Sequence, residues 1–151
     1  YQVSPYALTW DDENYYMVAY DAAAEQIKHY RVDKMADITM TDQPQAGAEA
    51  FAALDMGVYA KKVFGMFSGQ ERPVKLRVAN HLVGAMLDRF GKEISIVPDG
   101  DDHFTLLVNV IISPQFFGWV CAFGSDIEIL EPASVQEQFL THLDGIRAQY
   151  Q

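Results

Sequence analysis

At 151 residues, 50% of them hydrophobic, the chain can bury a core as one domain or two small ones and is too apolar to remain disordered. Its formal net charge of -10 is evenly spread: five Lys/Arg face ten Asp/Glu over residues 1–70, and six face eleven over residues 71–151, which excludes a broad basic platform for duplex DNA in either half. A single cysteine, Cys121, excludes an internal disulfide and a multi-cysteine metal site.

The longest apolar runs, such as TLLVNVII at 105–112, are too short to cross a bilayer, and no charged-then-apolar leader opens the sequence. A soluble, cytoplasmic protein without membrane contact is expected. The chain opens at Tyr1 directly into strand-like sequence, so a further segment upstream is also expected.

Short strands come first. YALTW (6–10), YYMVAYD (15–21), IKHYRV (27–32) and MADITM (35–40) are rich in aromatic and β-branched residues and are separated by turn sequences such as DDEN. Closely spaced antiparallel strands predict a small barrel or curled sheet. Ala-rich helical sequence follows from about 46 to 60, with a Gly- and Ser-bearing exit at 65–69, which places a domain boundary near residues 70–72.

The second part alternates differently. PVKLRVA (73–79) reads as a strand and NHLVGAMLDRFG (80–91) as a helix stopping at Gly91. KEISIV (92–97) and HFTLLVNVII (103–112) flank PDGDD, a hairpin signal, and SPQFFGWVCAFG (113–124) opens with a Ser N-cap and Pro at N1. IEIL (127–130) is a further strand, and 132–150 forms a closing helix with Val135, Phe139, Leu143 and Ile146 on one stripe. The order is βαββαβ with an extra helix, the split-βαβ ferredoxin-like arrangement, within an α+β chain.

Catalytic chemistry is sparse. His29, His81, His103 and His142 lie far apart with no paired metal-ligand spacing, and no GxSxG elbow, phosphate loop or GxGxxG turn occurs. Cys121, inside the apolar FFGWVCAF, is expected to be a buried structural thiol. PDGDDH (98–103) lacks the twelve-residue calcium loop with its terminal Glu and reads as a solvated turn. Phe116–Phe117 and Tyr15–Tyr16 are read as core aromatics before ligand platforms. An enzyme is not expected, nor a cofactor or a metal.

The local exception to the acidity is IKHYRVDKM (27–35), where Lys28, His29, Arg31 and Lys34 face only Asp33. In a regular strand Ile27, His29 and Arg31 share one face while Lys28, Tyr30 and Val32 share the other. Tyr30 and Val32 are expected to point inward, turning His29 and Arg31 outward, with Lys34 in the turn beyond. The plain reading is a solvated, charged edge strand.

Three stretches carry a resemblance. SPYALTWDDENYYMVAYD is similar to the opening of bacterial WYL-domain transcription regulators, with Tyr15, Tyr16 and Met17 in the places of Trp-Tyr-Leu. IKHYRVDKM resembles the family's basic strand ending in Asp-Arg-Ile, with Lys34 and Met35 as its last two residues, and SPQFFGWVCAFGSDIEILEP resembles its C-terminal extension. The resemblance implies an Sm-like β-barrel with a trailing helix over 1–70 and a ferredoxin-like extension over 71–151, following an N-terminal winged helix-turn-helix that these residues do not include. It further implies a homodimeric regulator whose WYL domain senses a nucleotide or short single-stranded nucleic acid through Tyr16, His29, Arg31, Lys34 and Lys28, and which meets duplex DNA only through the helix-turn-helix. Lys34 keeps charge where the family has Arg but lacks the planar two-pronged donor. The competing expectation is a protein-protein or dimerisation module without a small ligand, marked by a large exposed apolar patch.

Overall fold

The alternating apolar residues of the first part produce three strands in the computed structural model, which describes residues 1–11, 13–57, 59 and 70–151. These belong to two compact units. In the first, β1 (Val3–Asp11), β2 (Asn14–Asp21) and β3 (Gln26–Arg31) form an antiparallel sheet in that order. Asp11 lies opposite Asn14, and Glu13 takes φ 61°, the left-handed conformation that a two-residue hairpin turn demands. A bulge between Pro5 and Ala7 accommodates the proline, whose missing N–H an edge strand tolerates.

The register decides which side chains meet. Tyr16 opposes Arg31, Val18 opposes His29 and Tyr20 opposes Ile27, so these six share a face. Leu8, Met17 and Tyr30 line up across the other face, with Trp10 opposite Tyr15 and Ala19 opposite Lys28. Among the described residues this sheet does not close into a barrel.

The predicted strand at 35–40 is overturned. Asp37 adopts φ 53°, which breaks an extended run, and Ile38 and Met40 are exposed with no strand paired to them among the described residues. The helix expected over 46–60 is interrupted: α1 spans Ala48–Ala52, and helical backbone resumes at Met56 after the Asp55 carboxylate accepts a hydrogen bond from the Gly57 N–H (2.9 Å). The exit at 65–69 lies outside the described residues. The segment before α1 is strapped to β1, where the Ala46 N–H donates to the Ser4 hydroxyl (2.9 Å) and the Tyr6 hydroxyl donates to the Ala46 carbonyl (2.6 Å). Phe51 of α1 then stacks on the Tyr6 ring at 4.7 Å.

The second unit is built on β4 (Gln70–Ala79), β5 (Ile96–Asp99), β6 (His103–Ile112) and β7 (Ile127–Glu131). Their order is β5–β6–β4–β7, with every neighbouring pair antiparallel. Helix α2 (Val83–Phe90) connects β4 to β5, α3 (Pro114–Cys121) connects β6 to β7, and α4 (Ala133–Arg147) closes the chain. β5 begins later than KEISIV predicts and runs into the hairpin turn, where Gly100 takes φ 73°. The expected caps are present: the Ser113 hydroxyl accepts from the Phe116 N–H (3.2 Å), and the Gly91 N–H returns to the Leu87 carbonyl (2.8 Å).

Period-2 apolar residues of β4 and β6, among them Val74, Leu76, Val78, Leu106 and Val110, pack against Met86, Phe116, Val120 and Val135 from the three helices. Cys121 is exposed, not buried as its apolar neighbours imply. The physical reason is angular: one residue turns a helix by about 100°, which carries Cys121 past Val120 to the side of exposed Pro114 and Gly118. No helix of the described residues is long and apolar enough to cross a membrane.

Candidate functional site

Of the five residues singled out in the sequence, alternation along β3 sends Lys28 to one face and His29 and Arg31 to the other, while Tyr16 lies on β2 and Lys34 in the turn beyond β3. Arg31 ends the strand opposite Tyr16, and the next three residues, Val32–Lys34, tighten into a 3-10 turn that folds Asp33 back beside the guanidinium. Arg31 donates from Nε to Asp33 Oδ1 (3.0 Å) and from Nη2 to Asp33 Oδ2 (2.9 Å), a two-pronged grip on one carboxylate. Nη2 also donates to Asn14 Oδ1 (2.7 Å). Lys34 Nζ stands 3.9 Å from the same Asp33 oxygen and is largely exposed. The Arg31 hydrogen bonds, helped by the charges of Arg31 and Lys34, hold the Asp33 carboxyl below its usual titration range.

The arrangement is a guanidinium fork at the sheet's end, closed on the protein's own carboxylate. Arg31 and Lys34 supply charge, and Tyr16 is the cross-strand neighbour on the Arg31 face. Asn14 was not legible as a participant, although the two-residue turn that places it two positions before Tyr16 on the same face is a usable signal. Asp33 is visible in the sequence only as the single opposing charge, because its position depends on the 3-10 turn.

Lys28 and His29 stand elsewhere. His29 shares the Arg31 face but lies against fully buried Val18, its ring 5.5 Å from that of Tyr59 and nearly parallel to it, with both ring nitrogens enclosed. Lys28 points to the opposite face and pairs with Asp21 (2.6 Å). Asp21, itself buried, also accepts from the Ala23 and Ala24 N–H groups (3.0 and 3.2 Å) and from the Tyr30 hydroxyl (3.4 Å), so it ties the β2–β3 turn together.

This network has a pH signature. The Lys28 hydrogen bond, chiefly, lowers the Asp21 pKa; the Asp21 hydrogen bond raises that of Lys28; and burial raises that of Tyr30. A depressed carboxyl contributes stability above its unfolded pKa and loses it as pH falls through the folded value, whereas the raised Lys and Tyr lose theirs only as pH rises through theirs. Amide protection in the β2–β3 hairpin is therefore expected to hold through neutral pH and to decline below about pH 4. Asp21→Asn should lower the melting temperature at pH 7 by several degrees and flatten the acid limb; superimposable acid profiles for variant and wild type would refute this role.

The remaining polar turn is structural. Asp99 accepts from Arg77 Nε (2.6 Å), and the Asp101 and Asp102 carbonyls accept from the Asn80 side chain and backbone (both 2.9 Å), which anchors PDGDDH to the end of β4. Among the described residues no group of three His, Cys, Asp or Glu is arranged to hold a metal ion.

Comparison with known proteins adds the lineage. Residues 1–40 match the WYL domain and residues 70–146 the WCX domain, the latter alone just over half of the chain. Among solved structures, the chain is similar to the proteasome accessory factor B/C (PafBC) of Arthrobacter aurescens, at 22% identity and TM-score 0.42, covering 98% of this chain and 22% of that one. It is also similar to a CRISPR Cas-related protein, at 17% identity and TM-score 0.48, covering 98% of this chain and 43% of that one. The chain thus spans less than half the length of either, and likenesses this distant carry no function across. With both models matched in order along the sequence, the chain belongs to the WCX-domain family, its WCX domain preceded by a WYL domain.

Proposed function

We propose that this chain is the effector-sensing and dimerising region of a cytoplasmic transcription regulator, and that its ligand is an anionic nucleotide or short single-stranded nucleic acid. The ligand is taken up at the end of β3 by Arg31 and Lys34, with Tyr16 supplying a ring or hydroxyl contact. The observation that supports this reading is the grip of Arg31 on Asp33: the fork that holds a carboxylate at 3.0 and 2.9 Å has the spacing to hold two oxygens of a phosphate. Asp33 must swing away as the ligand arrives. His29 stiffens the strand beneath Arg31 by its packing on Tyr59, and Lys28 holds the β2–β3 turn, so neither touches the ligand in this scheme.

In the same proposal the first unit is a relative of the Sm-like barrel and the second is ferredoxin-like, joined near residues 70–72. Support for the latter is the order β5–β6–β4–β7, with α2 and α3 as the two crossovers. Displacing Asp33 frees the turn 32–34 and shifts the balance between arrangements of the homodimer, which duplex DNA reads through a separate helix-turn-helix domain.

Isothermal titration with linear and cyclic dinucleotides and short single-stranded oligonucleotides tests the site. Binding by the wild type, and its loss by at least about tenfold in Arg31→Ala, is the expected outcome. Absence of binding by the wild type to every one of these anions, or equal binding by the variant, sinks the assignment.

A further inference from the structure

The opposite face of the first sheet carries a feature that an anion sensor does not use. Leu8, Trp10 and Tyr15 are 68%, 57% and 57% exposed, although cross-strand aromatic residues commonly bury a face of the sheet. Trp10 and Tyr15 form a directly opposed pair, their rings 4.6 Å apart and edge to face at 72°, and Leu8 lies two residues back on the same face. Single exposed apolar side chains are ordinary; a contiguous, mutually supported group is a mark of interaction. The edge-to-face contact fixes the rings in advance, so a partner that stacks on them orders little further.

The charge beside the pair specifies the partner. The turn joining Trp10 to Tyr15 is Asp-Asp-Glu-Asn, placing three carboxylate residues in succession, and residues 1–60 hold three Lys/Arg against ten Asp/Glu, a net -7. Such a surface repels a polyanion and attracts a cation. Trp and Tyr rings are also the preferred faces for a guanidinium, and an arginine stacked there reaches the carboxylates of the adjoining turn.

We propose that the Leu8–Trp10–Tyr15 face, with Glu13 of the adjoining turn, docks a basic amphipathic segment of a partner protein, its arginines on Trp10, Tyr15 and the turn and its aliphatic residues on Leu8. Because Tyr16 and Arg31 occupy the other side of the sheet, this surface is distinct from the anion site, and each can be disabled without the other.

The probe is a synthetic helical peptide with arginine and leucine on one face, titrated into the intact chain, beside a counterpart with every arginine replaced by glutamate. Wild type should bind the arginine peptide and not the glutamate one, with affinity falling as salt rises. Trp10→Ala and Tyr15→Ala should each weaken binding about tenfold, and Trp10→Phe should restore most of it. Glu13→Gln, at an exposed turn position outside the strands, should weaken binding and reduce its salt dependence. Failure of the wild type to bind the arginine peptide, equal binding of the glutamate peptide, or undiminished binding by Trp10→Ala overturns the proposal. So does sedimentation showing wild type self-association that Trp10→Ala abolishes while peptide affinity is unchanged, which would assign the face to a second copy. Competition by a single-stranded oligonucleotide that survives Arg31→Ala but not Trp10→Ala would assign it to stacked bases, and also overturns it.

Discussion

Asp33→Asn should bind a dinucleotide about tenfold more tightly than the wild type, the opposite of what loss of a salt bridge ordinarily does to a site. At the proposed site a ligand's oxyanion has to compete with a carboxylate that is always present, tethered two residues from Arg31 and gripped through both Nε and Nη2. Asparagine keeps the shape and can still accept one hydrogen bond, but it removes the charge that makes the grip strong and that repels an incoming phosphate. The pair is half exposed, so the gain is modest and should shrink as salt rises. A double-mutant cycle makes the claim specific. In an Arg31→Ala background, Asp33→Asn should give little gain, because no fork remains to be freed; a full tenfold gain there would show that the effect is only net charge. Lys34→Arg offers a further check. It restores a planar donor beside the same carboxylate and should strengthen both ligand binding and the internal competition.

Those arguments depend on contacts that the sequence indicates unevenly. Strand alternation correctly separates Lys28 from Arg31, and the caps at Ser113 and Gly91, the hairpin at 99–103 and the apolar stripes of β4 and β6 follow from local chemistry alone. What alternation does not tell is which face is covered. Val18 and Ala19, adjacent in β2 and therefore on opposite faces, are both fully buried, so the sheet is packed on both sides near its middle, while Leu8, Trp10 and Tyr15 toward the β1–β2 turn are exposed. His29 falls in the packed zone and Arg31 beyond it, although they share a face. The segment 35–40 misleads for a related reason: β-branched and alternating residues make a strand only when another strand lies alongside. The neutralisation of Arg31 is set by a three-residue turn, Val32–Lys34, whose geometry no periodicity encodes.

Gly47→Ala is expected to be among the most damaging single-methyl changes in the first unit. Gly47 precedes α1 with φ 82°, a conformation costing an L-residue about 1–2 kcal/mol. A Cβ there would also run into Tyr20 Cγ and lie 2.6 Å from Tyr20 Cβ and Cδ1; Tyr20 Cβ is fixed by the β2 backbone and cannot retreat as a flexible chain end would. Overpacking of this kind adds about 1–3 kcal/mol, so the total penalty is roughly 2–5 kcal/mol. The cheapest relief is release of the strap, breaking the Ala46 bonds to Ser4 and Tyr6 and the Phe51 stack on Tyr6. Hydrogen exchange should then accelerate across 3–31 and 46–52 while residues 70–151, with their own core, keep wild-type protection. Because Tyr20, Val18 and His29 share the face that the strap adjoins, its release should also loosen the strand that carries Arg31, and anion affinity should fall although no ligand contact has been touched. Unchanged exchange in 3–31 would mean that Tyr20 and Gly47 are not packed together in solution. Accelerated exchange with full anion affinity would instead confine the strap to stability and leave the end of β3 self-sufficient, held by Asn14 and Asp33 alone.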